Sequence, residues 1–262
     1  MGVSRAAVVS SFTVIKGSQL DATYDAFTHW ELGTSKKVNL DHLKTNDPLG
    51  AGTANWWRDL AKTINRRFDT EGRDRILIEM AKAGVSRDIW RPAVLWHMTR
   101  DEFLVRDFLT QWLYEQHTAG TWRVRTEDVV PYLNQLHTRE GIEIKEVWSP
   151  STTGRVASGL LRMAVDFGLM TGTLTREFVS YCLPDEALLY LLHAASEAEP
   201  NPHRMVHAED WRMYLMAPGD VQRELFRLHQ LGCLRYEVAG SIAELRLPYS
   251  SAVAYAHEEL IR

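Results

Sequence analysis

The chain has 262 residues, 45% of them apolar, with a formal charge of −4 and a pI of about 6.2. That apolar fraction supports a globular core, and the mild acidity argues against a generic nucleic-acid coat, whose footprint is strongly basic. The two cysteines, Cys182 and Cys233, have no metal-type spacing, which argues against a disulfide framework and fits a reducing cytosol.

The start carries one Arg and an apolar run too short for a signal-peptide core, and no run approaches the length of a membrane span. A cytoplasmic protein with no membrane segment is therefore expected. Charge is uneven: residues 1–100 hold 15 Lys+Arg against 11 Asp+Glu, and the remainder holds 15 against 23. Any surface for a polyanion is local. Nine Trp is a high count, most of it expected in the core and some at a partner surface.

Val8 to Ile15 reads as a short extended arm. Ser18 is placed to cap a helix over Gln19–Leu32, with Gly33 as its stop. Residues 34–52 are polar, with Pro and Gly, and read as a loop with one helical turn near Leu40–Leu43. Thr53 caps a helix through Phe68, with Trp56, Leu60, Ile64 and Phe68 facing the core. Arg58, Lys62, Asn65 and Arg66 lie away from that stripe, with Arg67 nearby. Helices over Arg73–Ala83 and Arg87–Met98 follow, the second capped by Ser86.

From Thr99 the character changes. Helix Asp101–Gln116, an extended piece Trp122–Arg125, helix Glu127–His137 and a strand or loop Gly141–Trp148 lead to a capped helix over Thr152–Phe167 and a β-hairpin ending at Pro184. Next come helix Asp185–Ser196, a Pro-rich turn, helices Ala208–Leu215 and Pro218–Leu231, hairpin Leu234–Leu247 and helix Ser250–Ile261.

The second half repeats the first. Asp101-Glu102-x-Leu104 matches Asp185-Glu186-x-Leu188, and Glu127-Asp128-x-x-x-Tyr132-Leu133 matches Glu209-Asp210-x-x-x-Tyr214-Leu215. Gly154-x-Val156-x-x-x-Leu160-x-Arg162 matches Gly219-x-Val221-x-x-x-Leu225-x-Arg227. Each copy reads helix, short strand, helix, helix, hairpin, the order of a winged helix-turn-helix. The expected fold is mainly α: an N-terminal arm and helical bundle (1–99), then two tandem winged-helix-like units with short β-hairpins (100–184 and 185–262).

In the Thr152–Phe167 helix, Val156, Leu160, Met163 and Phe167 form a core stripe, and Arg155, Ser158, Gly159 and Arg162 take the opposite face. Ser151, Thr152 and Thr153 crowd its N-terminus, where free N–H groups and hydroxyls favour a phosphate. Arg155 and Arg162 lie where a major-groove helix presents side chains to base edges. Arg176 on the following hairpin suits backbone contact. Arg58, Lys62, Arg66 and Arg67 form a second candidate for polyanion contact. The alternative is a solvated face on a unit used for protein contact. In the second copy Arg223 and Arg227 sit beside Asp220 and Glu224, which favours a protein-contact or structural role.

No P-loop, GxGxxG, HExxH or nucleophile elbow appears. His203 and His207 have a metal-like spacing, but a segment opened by two prolines reads as extended, parting the imidazoles. No catalytic residue, metal or cofactor is expected.

The arm with Ser11, Phe12, Thr13, Lys16 and Gly17, the helix ANWWRDLAKTINRRF, and the segment with Trp148, Ser151, Thr152, Leu160, Leu161, Phe167, Gly168 and Leu169 together resemble the BrxA family of BREX bacteriophage-defence systems. The similarity covers most of the first 200 residues, and the tail beyond Pro200 looks like an extension. The resemblance implies a mostly helical cytosolic protein without known enzymatic activity, which binds double-stranded DNA beside a methyltransferase, an ATPase and other defence proteins. The alternative is an adaptor that docks one of those enzymes without touching DNA.

Overall fold

The computed structural model describes residues 8–50, 53–139, 142–144, 147–240 and 242–261. Residues 1–7, 51–52, 141, 145–146 and 241, which belong to segments discussed above, lie outside that set. The chain is mainly helical with short β-hairpins.

Strand β1 (Val8–Val9) runs into a one-turn helix α1 (Phe12–Ile15), where an extended arm was expected. Burial of Thr13 and Val14 seats that turn against the core. Helix α2 (Leu20–Thr28) is shorter than expected, and Ser18 does not cap it. The Ser18 hydroxyl donates instead to Asp166 Oδ2 at 2.5 Å, and Gln19 takes the cap position at φ 53°.

Helix α3 (Lys36–Asn46) fills the stretch read as a loop. Ser35 caps it, Leu40 and Leu43 are buried, and the buried Asn39 amide donates to the carbonyls of Glu31 and Thr34. Helix α4 (Ala54–Arg67) is capped by Thr53, as expected. Its buried face is Trp57, Leu60, Thr63, Ile64 and Arg67, with Trp56 half-buried. Helices α5 (Arg75–Lys82) and α6 (Arg87–Met98) complete the bundle.

Helix α7 (Phe103–Asp107) continues through a π-helical turn, Phe108–Leu113, into α8 (Tyr114–Thr118). Strand β2 (Arg123–Val124) precedes α9 (Thr126–Gln135), whose Asp128 carboxylate accepts from the Arg125 N–H at 2.7 Å. The cap position is therefore Arg125. Strand β3 (Glu143–Ile144) pairs in parallel with β1. Then come α10 (Pro150–Asp166), β4 (Met170–Thr171) and β5 (Arg176–Phe178). The sheet order is β2-β5-β4, both pairings antiparallel, with Val124 opposite Arg176 and Met170 opposite Phe178.

The second half follows with α11 (Asp185–Ala198), α12 (Pro202–Val206), a 3-10 helix over Glu209–Tyr214, and α13 (Pro218–Gln230). The Pro-rich turn is thus a short helix: Pro202 sits in its first turn and Asn201 caps it, so the proline's missing N–H costs nothing. Strands β6 (Arg235–Ala239) and β7 (Ile242–Arg246) form a hairpin, and α14 (Ala252–Tyr255) runs into a π-helical turn.

One hydrophobic core runs through all three segments. Polar ties join them: Tyr214 donates to the Pro92 carbonyl at 2.9 Å, and Arg106 pairs with Asp210 at 3.0 Å. Trp30, Trp57, Trp90, Trp96 and Trp211 are buried, whereas Trp122 is 67% exposed. Among the described residues no helix is long and apolar enough to cross a membrane.

Candidate nucleic-acid interface

Helix α10 starts where the sequence dictates. The Ser149 hydroxyl accepts from the Thr152 N–H at 3.2 Å, and Pro150 occupies the first turn. Thr153, Val156, Ala157, Gly159, Leu160, Leu161, Met163 and Ala164 are buried, more of the circumference than a one-sided amphipathic helix buries. What remains outward is narrow. Ser151, Arg155 and Arg162 are exposed and Ser158 half-exposed. At 3.6 residues per turn these four fall within a band of about 60°, extending about 16 Å along the axis. Neither Arg155 nor Arg162 has an ion pair among the described residues.

Gly159 does not share that band, contrary to expectation. It packs on α1, so closely that a Cβ would lie 2.4 Å from the Val14 carbonyl oxygen. The α1 turn therefore flanks the exposed strip and extends it. Lys16, at the end of α1, reaches Asp59 on α4 at 2.6 Å. Lys62 lies over the Phe12 ring, 5.3 Å from its centroid. The Lys16 hydrogen bond, with the charges of Arg58 and Lys62, holds the Asp59 carboxyl below the usual carboxylate range. Arg162 lies beside Gly17, where an added Cβ would meet its side chain at 3.7 Å. Through α1, Lys16 is tied to α4, Lys62 of α4 covers Phe12, and Arg162 of α10 lies beside the Lys16–Gly17 loop, a juxtaposition the sequence did not reveal. Lys16 is the member that sequence reasoning missed.

Four of the expected site residues are used elsewhere. Arg67 is 0% exposed. Its Nη1 donates to the Ser18 carbonyl at 2.6 Å, its Nη2 to those of Gly17 (2.9 Å) and Thr13 (3.0 Å), and its Nε to Glu102 at 3.3 Å. It is an internal clamp on the α1–α2 loop. Burial lowers its pKa, opposed by the Glu102 charge. Arg66 shares the Glu102 carboxylate at 3.5 Å and is half-buried. Arg176 is buried beneath the β4–β5 turn, where it donates to Thr126 Oγ1 (3.2 Å) and the Leu174 carbonyl (3.4 Å). Thr153 is buried and returns its hydroxyl hydrogen to the Ser149 carbonyl at 3.2 Å. The sequence shows a charge or a hydroxyl; it does not show a partner 35 or 50 residues away.

The second copy differs in kind. Arg227, which matches Arg162 in the repeat, pairs with Asp185 at 2.5 Å and Glu224 at 2.7 Å, and both acids push its pKa up. Arg223 pairs with Asp220. These two arginines are already paired with acids, as the neighbouring Asp220 and Glu224 suggested.

His203 and His207 are not parted: α12 is helical, and their rings stack at 4.6 Å. Among the described residues, however, no group of three His, Cys, Asp or Glu is arranged to hold a metal. A relay from the exposed Arg73 to the buried Asp74, His97 and Tyr190 superficially resembles a catalytic array, with His97 Nδ1 2.6 Å from Asp74 and Nε2 2.7 Å from the Tyr190 hydroxyl. Tyr190 is fully buried, and burial raises its pKa.

The chain matches the family model described as BrxA over residues 19–194. It is similar in fold to a crystal structure of an uncharacterized protein from Magnetospirillum magneticum, with a TM-score of 0.59 and 18% identity, over 79% of this chain and 98% of that one. No curated protein matches.

Proposed function

The chain belongs to the BrxA family, which is associated with BREX phage defence, and we propose that it serves there as a non-enzymatic accessory protein that binds double-stranded DNA. In this reading residues 100–184 are a winged-helix unit with α10 as its recognition helix and the β4–β5 hairpin as its wing. Residues 185–262 are a second such unit with a structural or protein-contact role. The protein works in the cytoplasm beside the methyltransferase and ATPase of the system.

One observation carries the reading. The outward strip of α10 offers two arginines, seven residues apart and without ion pairs among the described residues, next to serine and threonine hydroxyls at a capped helix start. Ser151 and Thr152 would meet a phosphate at the helix start, Arg155 and Arg162 the phosphates that flank the groove, and Arg58, Lys62 and Lys16 the adjoining backbone. Thr153, Arg67 and Arg176 would shape this surface from within.

A second reading, a protein adaptor, is favoured by exposed apolar side chains away from α10. Trp122 stacks with Arg123 at 4.1 Å, and Leu174, at the turn of the first hairpin, is 87% exposed. Retention on immobilised duplex DNA that Arg155→Ala with Arg162→Ala abolishes supports the first reading. No retention at physiological salt, with co-purification of one defence enzyme that Trp122→Ala or Leu174→Ser disrupts, supports the second.

A further inference from the structure

Beside α10 lies a cavity of about 410 Å³. Three stretches distant in sequence build it: the Lys16–Gln19 loop with the first turn of α2, Arg91 on α6, and Arg162 with Asp166 on α10. Its volume falls within the range of small-ligand sites.

Three cations and two carboxylates line the wall, and their existing engagements differ. Lys16 is tied to Asp59. Arg162 has no ion partner among the described residues. Among the described residues Arg91 pairs only with Asp88, 3.9 Å away, a solvent-exposed pair of the kind that contributes little. Of the acids, Asp21 pairs with Arg87 at 3.2 Å, and Asp166 accepts the Ser18 hydroxyl at 2.5 Å. Two guanidiniums with donors to spare therefore meet across one small space, and guanidinium forks match phosphate oxygens. The loop wall is backbone at Gly17, so no side chain there narrows the space. The opening of α2 adds N–H groups to the same wall; the side-chain cations remain the recognition element.

We propose that this cavity is a phosphate-binding site centred on Arg91 and Arg162, and that it seats one phosphodiester of a duplex lying along α10. The second half rests on the DNA-binding reading; the first does not.

Arg91→Gln tests it, because Arg91 lies outside the α10 strip and is partly solvent-exposed. Arg246→Gln on β7, also exposed, controls for loss of one positive charge. One arm measures the melting temperature of the full chain in inorganic phosphate against chloride at equal ionic strength. The other measures the salt dependence of binding to a short duplex. Arg91→Gln is expected to reduce the phosphate-induced rise in Tm at least twofold and to shrink the slope of log K against log salt by about 0.9, the value of one lost phosphate contact. Arg246→Gln leaves both unchanged. Loss of the phosphate response alone assigns the site to a free phosphate and overturns the phosphodiester half. A reduced slope alone assigns it to the backbone. If Arg91→Gln changes neither, the site is overturned. If the wild-type chain does not bind duplex at all, the DNA reading fails, and the phosphate arm still decides the cavity.

Discussion

Gly159 of α10 and Val14 of α1 touch through backbone: a Cβ on Gly159 would sit 2.4 Å from the Val14 carbonyl oxygen. The contact explains why a glycine stands in mid-helix, where it costs about 1 kcal/mol relative to Ala. It also fixes α1 beside the outward strip of α10, which sets the Lys16–Gly17 loop against Arg162.

Gly159→Ala should therefore destabilise the chain despite the better helix propensity of Ala. Overpacking costs about 1–3 kcal/mol, so a net loss of about 1 kcal/mol is expected, or roughly 2–4 °C in Tm. Calorimetry checks this, and an unchanged or higher Tm would contradict the close approach.

Arg67 makes the opposite kind of statement, since its charge never reaches the surface. Arg67→Met leaves the buried Glu102 with Arg66 alone, 3.5 Å away, and removes the donors to three carbonyls. A loss of about 3–5 kcal/mol in urea unfolding is expected. The milder Arg176→Gln should fold and leave the salt dependence of duplex binding unchanged. A reduced slope for Arg176→Gln would return that residue to the contact surface.

Much of this fold can be read directly. Helix α10 declares itself by Ser149, Pro150 and an apolar repeat, and α6 by its Ser86 boundary and aromatic-rich stripe. The misreadings have physical causes. A stripe counted every four residues, Trp56-Leu60-Ile64-Phe68, drifts off the 3.6-residue period. The true face alternates three and four, through Trp57, Leu60, Ile64 and Arg67. That alternation placed Arg67 on the buried side, and only its charge argued otherwise. Polar composition masks helix α3, because the buried Asn39 supplies hydrogen bonds in place of a longer apolar stripe. The neighbourhood of α4 and α10 depends on contacts across about 100 residues, which no local pattern encodes.

The Asp74–His97 pair predicts acid sensitivity. Burial alone would raise the Asp74 pKa, but hydrogen bonds from Arg73 and His97 bring it down to about 2 from an ordinary 3.8. Burial pushes the His97 imidazole below 6.5, against the pull of Asp74. Both shifts act in one direction. Below pH 6.5 the unfolded chain takes up a proton at His97 that the folded chain refuses. The Asp74 contribution, about 2 kcal/mol at 1.36 kcal/mol per unit, is present above pH 3.8 and lost as pH falls towards 2. Urea midpoints should fall continuously through this range, and Asp74→Asn should remove the lower part of the fall. Equal pH profiles for wild type and Asp74→Asn would contradict it.

Arg227 and Arg162 hold matching places in the repeat but opposite situations. Arg227 is spent on Asp185 and Glu224, an exposed network worth about 1 kcal/mol or less. Arg227→Ala should leave duplex affinity and its salt dependence unchanged. A fall in affinity like that of Arg162→Ala would make the second unit a DNA-contacting one.

The most direct test of the central claim is a fluorescence-anisotropy titration of duplex DNA across a series of salt concentrations, with wild type and the Arg155→Ala, Arg162→Ala double variant. If the α10 strip grips DNA through both arginines at phosphates, the double variant binds more weakly and its slope of log K against log salt is smaller by about 1.8. An unchanged affinity and slope in a folded double variant would contradict the claim.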